Sequence, residues 1–90
     1  IDHLIYVAGQ SLFGAIQDMS DEDIDGQYLI NVYNLIKVVQ ALVDCIRQSD
    51  NGRIIVISSI WGETGASYET IYSTMKAAQL GFVKSLAKEL

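Results

Sequence analysis

The chain has 90 residues, half of them apolar, with 11 acids against six bases and a formal charge of −5. An acidic chain with scattered bases is a poor nucleic-acid ligand, and no unbroken apolar run nears the roughly 18 residues that span a bilayer. A lone cysteine, Cys45, provides neither a disulfide framework nor metal-ligand spacing, which fits a reducing cytoplasm and a small apolar role on a helix.

Leu4, Ile5, Tyr6, Val7 and Ala8 form a short apolar run ending at Gly9, read as a buried parallel strand whose small terminal residues admit a ligand close to the backbone. His3 precedes it with no histidine or cysteine nearby and is read as a surface residue. Gln10 to Met19 is predicted as a loop leaving the carboxyl edge of the sheet, where Phe13 is either a pocket wall or a core-covering aromatic.

Ser20, Asp21, Glu22 and Asp23 form a helix start, with a capping hydroxyl and an acid three residues later. Apolar positions then recur at Ile24, Tyr28, Leu35, Val39, Leu42 and Ile46 with helical spacing. Asn31 falls on that stripe. A buried amide needs partners, so it marks either a local break in the helix or a functional hydrogen bond. Ile30, Val32, Ile36, Val38 and Val43 make this helix apolar on more than one side. One face must cover the sheet, and the other is expected to meet a second subunit.

The polar run 47–52 is a turn closed by Asn51 and Gly52. Ile54, Ile55, Val56 and Ile57 follow as a second strand, read as buried on both faces, and the chain then breaks into Ser58, Ser59, Gly62, Thr64 and Gly65. Beyond lies a helical pattern with Ile71, Met75, Ala78, Phe82 and Leu86 as its expected core face. Tyr72 and Lys76 stand four apart and share a helix face.

Their acidities define what this group of residues can do. A free phenol, with a pKa of roughly 10, is a poor acid and an unusable base at neutral pH. An ammonium one turn away favours the phenolate and moves that value towards the operating range. A serine at the preceding strand tip can hold a substrate oxygen while Tyr72 gives or takes its proton. Those roles suit a carbonyl becoming an alcohol with hydride from a cofactor.

Ser59, then Tyr72 thirteen positions on and Lys76 four further, resembles the active-site pattern of the short-chain dehydrogenase/reductase family, and the resemblance covers essentially all 90 residues. It implies an α/β fold, a partial Rossmann unit of strand, helix, strand and helix. Residues 1–90 would be the central part of one NAD(P)-binding domain, with the cofactor loop before Ile1 and the nicotinamide-cradling segment after Leu90. The start at Ile1 without Met, and the helical pattern still running at Leu90, are read the same way.

The resemblance implies that Ser59 polarises the carbonyl, Tyr72 is the general acid, Lys76 holds the nicotinamide ribose, and Asn31 is the fourth catalytic residue, holding a water that links the lysine to solvent. Ala8 and Gly9 match the last two residues of the family's Asn-Asn-Ala-Gly strand ending, with Tyr6 and Val7 in place of the asparagines. Ala8, Gly9, Tyr72 and Lys76 are the expected cofactor contacts, and NADP(H) is expected over NAD(H). Family members commonly assemble as homodimers or homotetramers through these two helices; composition and charge add the expectation of no membrane or nucleic-acid partner.

The overall pattern looks like 3-oxoacyl-carrier-protein reductases of bacterial fatty acid biosynthesis. Those enzymes carry basic residues near the turn before the second strand, whereas Ser49, Asp50 and Asn51 are not basic. The stretch 59–67 resembles a subgroup that reduces the 5-aminopentanone group on modified elongation factor P, and Glu63 and Glu69 would suit such a cationic substrate. Phe13, Trp61, Glu63 and Tyr68 are the expected substrate contacts. A non-catalytic dinucleotide-binding relative is the rival reading, kept alive by Tyr6 and Val7.

Overall fold

A computed structural model describes residues 2–7, 13–57, 65 and 67–90. Strand β1 (His3–Tyr6) and strand β2 (Arg53–Val56) pair in parallel, with His3 opposite Arg53 and Tyr6 opposite Val56. The Arg53 N–H donates to the Asp2 carbonyl (2.9 Å) and the Ile57 N–H to the Tyr6 carbonyl (3.0 Å), extending the ladder beyond both ends. Parallel strands need a long crossover, and helices supply it.

That crossover is one rod in three parts: helix α1 (Asp21–Tyr28), a π-helical turn (Leu29–Tyr33) and helix α2 (Asn34–Arg47). Ser20 caps α1 as the sequence anticipates. Its Oγ accepts from the Asp23 N–H (3.0 Å), while its own N–H donates to the Asp23 carboxylate (3.3 Å). Acids at Asp21, Glu22 and Asp23 complement the positive end of the helix.

After α2, Ser49 Oγ donates to the Asp2 carboxylate and ties the turn to the start of β1, which holds that carboxyl below its ordinary range. Gly52 passes so close to the end of α2 that a Cβ there would collide with the Ile46 carbonyl oxygen. Helix α3 (Thr70–Glu89) closes the described chain. A short 3-10 turn, Ile16–Asp18, lies in the segment expected to be plain loop.

The core is Tyr6, Leu35 and Val39, joined by Leu4, Val43, Ile54, Val56, Phe82 and Leu86. Both long helices thus cover one face of the sheet. The expectation of strands buried on both sides is corrected for the described residues: Ile5 and Ile55, on the opposite face, are 58% and 44% exposed. Side chains alternate along a strand, so the odd positions face away from both helices.

The stripe predicted along the first helix also breaks. Leu35, Val39 and Ile46 are buried, but Tyr28 is 46% exposed. A π-turn adds a residue to one helical turn, so positions before and after it no longer share a phase. By length and composition the run Asp21–Arg47 is apolar enough to cross a membrane. In the fold, one side of it is committed to the sheet through Leu35 and Val39.

Candidate active site

The π-turn is where the sequence anomaly at Asn31 resolves. The Asn34 N–H reaches back five residues to the Leu29 carbonyl. Asn31, fully buried, donates through Nδ2 to the Gln27 carbonyl (2.9 Å) and to Gln27 Oε1 (3.2 Å). The amide therefore satisfies the backbone where the regular ladder is interrupted, which is the local helix break read from sequence as one of two alternatives.

Two further side chains grip this turn from other elements. The Tyr6 hydroxyl, rising from β1, donates to the Ile30 carbonyl. Gln79, on α3, donates through Nε2 to the Asn31 carbonyl (2.7 Å). Tyr6 stands where the resembling family has an asparagine, so a phenol ties strand to helix here. Burial pushes its pKa up, which keeps the phenol a neutral donor. Tyr6→Phe should cost about 1–3 kcal/mol, because the Ile30 carbonyl loses that donor. A fall in the urea midpoint at unchanged m-value would register it.

Helix α3 presents Tyr72 and Lys76 one turn apart. Tyr72 is half-buried, Lys76 is 4% exposed, and the Lys76 Nζ lies 5.5 Å from the Tyr72 ring centroid. Lys76 also donates to Gln79 Oε1 (3.4 Å). Burial lowers the lysine's pKa, since the charged form is the one penalised by lost hydration. Tyr72, Lys76 and Asn31 are thereby brought into one neighbourhood, linked through Gln79.

The predicted core face of α3 holds in part, since Phe82 and Leu86 pack against the core. Ile71, Met75, Phe82 and Leu86 are only partly buried and Ala78 is exposed, whereas the fully buried positions are Ser73, Lys76 and Gln79. They recur at three-residue intervals and form a polar seam that reaches the π-turn through Gln79, while Phe82 and Leu86 pack on the core over the sheet. Asn31 Oδ1 and Ser73 Oγ are buried polar atoms with no hydrogen-bond partner among the described residues.

Entry into α3 is shaped by two left-handed residues, Gly65 (φ 78°) and Tyr68 (φ 63°). A non-glycine residue held there signals a constrained loop. The Gly14 N–H donates to the Tyr68 carbonyl (2.6 Å), and the Phe13 and Tyr68 rings stand 5.8 Å apart at 36°. Phe13 and Tyr68, both expected to touch substrate, are thus adjacent and exposed beside the start of the Tyr72 helix. Glu69 is buried at that start. Ala8, Gly9, Ser59, Trp61 and Glu63 lie outside the described residues.

The whole chain, residues 1–90, matches the short chain dehydrogenase family. It belongs to that family. Over 90 residues it is 40% identical to the oxidoreductase YmfI of Bacillus subtilis (strain 168), covering all of this chain and 37% of that protein. It is 33% identical over 90 residues to a 3-ketodihydrosphingosine reductase of Bacteroides thetaiotaomicron, covering 34% of it. The solved structure of ElxO with NADP bound superposes with a TM-score of 0.91 at 28% identity, over 98% of this chain and 36% of that one. The chain therefore spans about a third of the length of these relatives.

Sequence alone singles out Asn31, Tyr72 and Lys76 and gives no site role to Gln27, Ser73 or Gln79. Their signal was available in the spacing: Gln27 precedes Asn31 by one helical turn, and Gln79 follows Lys76 by three residues.

Proposed function

We propose that this chain is the central part of an NAD(P)(H)-dependent reductase that converts a ketone to an alcohol, with 3-oxoacyl thioesters on a carrier protein as its substrate class. The observation that supports this most is the Tyr72–Lys76 pair, a phenol under a buried ammonium at 5.5 Å, at the start of a helix in a short-chain dehydrogenase. The dinucleotide, when bound, supplies the hydride. An ammonium and a phenol one turn apart are a donor set suited to a ribose diol, so Tyr72 and Lys76 would hold the nicotinamide ribose. Ala8 and Gly9 would let the cofactor approach the β1 backbone. ElxO carries NADP, which favours NADP(H).

In this reading Ser59 holds the ketone oxygen and Tyr72 delivers the proton to it as the alcohol forms. Lys76 keeps positive charge beside Tyr72 at the moment of transfer. Asn31 holds the π-turn against which Lys76 is positioned. Phe13 and Tyr68, with Trp61 and Glu63, would line the substrate entrance. Exposed Tyr28, Leu29, Tyr33 and Ile36 on the helical rod would form the contact of a homodimer or homotetramer.

A second reading, reduction of an aminoketone such as the 5-aminopentanone group on elongation factor P, is favoured by charge. The turn before β2 carries Asp50 and is tied through Ser49 to Asp2 at the start of β1, acids that would repel an acidic carrier, and Glu69 lies at the start of α3. The experiment is NADPH and NADH consumption by the full-length protein with acetoacetyl thioesters and with ketones bearing a primary amine. Faster turnover of the thioester supports the first reading, and of the aminoketone the second. Dinucleotide binding with no turnover of either would make the protein the non-catalytic relative.

A further inference from the structure

We propose that Gln79 is a positioning residue for this site, a two-sided amide bridge that transmits the geometry of the π-turn to Lys76. The inference rests on the reductase reading for its catalytic consequence, while the bridge itself is a matter of contacts. Gln79 is 1% exposed, so its amide is committed to protein partners. Its Nε2 donates to the Asn31 carbonyl at 2.7 Å, and its Oε1 accepts from Lys76 Nζ at 3.4 Å.

Only a primary amide meets both demands at this reach. A carboxylate would face the Asn31 carbonyl with a second acceptor, an aliphatic side chain would satisfy neither end, and a hydroxyl is too short. The carbonyl that Gln79 takes is not an ordinary helical one, because Asn31 lies inside the π-turn, next to the carbonyl that Tyr6 holds from β1. Strand β1, the π-turn and α3 are thereby fastened around one lysine amine.

The functional consequence follows from the flexibility of lysine. Its four side-chain torsions carry up to about 2 kcal/mol of rotamer entropy, and an amine left to wander would meet Tyr72 in only some orientations. A fixed acceptor three residues along the same helix restricts that freedom before substrate arrives, so the ammonium stays over the Tyr72 ring.

The test uses Gln79→Leu and Gln79→Glu in the full-length protein, read by steady-state kinetics and by the NMR shift and proton-exchange rate of the Lys76 amine. Gln79→Leu should lower kcat about tenfold with KM for the ketone changed less than about twofold. It should also speed exchange of the Nζ protons. Gln79→Glu keeps an acceptor facing Lys76 and should keep the Nζ protons slow to exchange. It should not restore protection at the π-turn, where the donor to Asn31 is lost.

A Leu variant with an unchanged Nζ signal overturns the bridge, whether kcat is intact or falls together with thermal stability. If the Leu variant fails to fold, the unmodified protein decides: rapid exchange of the Gln79 amide protons overturns the proposal, and protected ones support it. Retention of turnover by Tyr72→Phe would sink the reductase reading alone, because the Nζ measurements judge the bridge independently of turnover.

Discussion

Full-length protein carrying Tyr72→Phe should reduce its ketone about 10²–10⁴-fold more slowly while still binding the dinucleotide. The substitution removes one oxygen and its proton and little else. The ring that lies 5.5 Å from Lys76 Nζ is retained, so the ammonium keeps its aromatic neighbour. Phenylalanine and tyrosine have nearly the same helix propensity, so α3 should form as before. What is lost is the group that can give a proton to a nascent alkoxide, while Lys76 remains to hold the nicotinamide ribose. The loss should therefore fall on kcat and kcat/KM alike. Cofactor fluorescence reports binding and NAD(P)H consumption reports turnover. Undiminished consumption would remove Tyr72 from the role of acid and with it the proposed mechanism.

Much of this arrangement was legible in the residues. Both strands announce themselves as apolar runs, the second wholly β-branched, yet the second spans Arg53–Val56 where hydrophobicity pointed to Ile54–Ile57. A strand's assigned ends are set by the ladder it shares with its partner, and His3 opposite Arg53 fixes that register. Asn31 was visible as an amide out of place on an apolar stripe, and the structure gives it the helix break that such a misfit predicts. Tyr28 was misplaced for the same reason: periodicity counts residues at a constant angle, and the π-turn changes the angle midway.

The polar seam of α3 was harder to see. Apolar periodicity passes over Ser73 and Gln79, because a polar side chain is cheap to bury only where a partner waits inside. For Gln79 that partner is Asn31, 48 positions away. Tyr6 posed the same difficulty. Its departure from the family's asparagine looked like a loss, but the longer phenol reaches the Ile30 carbonyl and performs a tying role from a different distance. Local pattern shows that a residue is unusual, and only the fold shows what it meets.

Lys76→Met should cut turnover by about 10²-fold or more, and it should also change how stability varies with pH. Methionine keeps most of the apolar stem but removes the charge beside Tyr72 and leaves Gln79 Oε1 without this donor, a pH-independent cost of about 1–3 kcal/mol. The charge contributes differently. Burial lowers the folded-state pKa of Lys76 beneath its ordinary value of 10.5, so between those two values the unfolded chain binds more protons than the folded one. Stability from this group therefore rises with pH across that window. Below the folded-state pKa the burial cost is present in full, and above 10.5 it is gone. The unfolding free energy of the wild type should gain on that of the Met variant as pH is raised through the alkaline range, and their difference should level off towards neutral pH. Urea titrations of both full-length proteins at matched ionic strength measure this directly. A difference that stays flat from neutral to alkaline pH would mean that the amine is as well solvated in the folded protein as in the unfolded chain. Lys76 would then not be the buried partner that Tyr72 and Gln79 require.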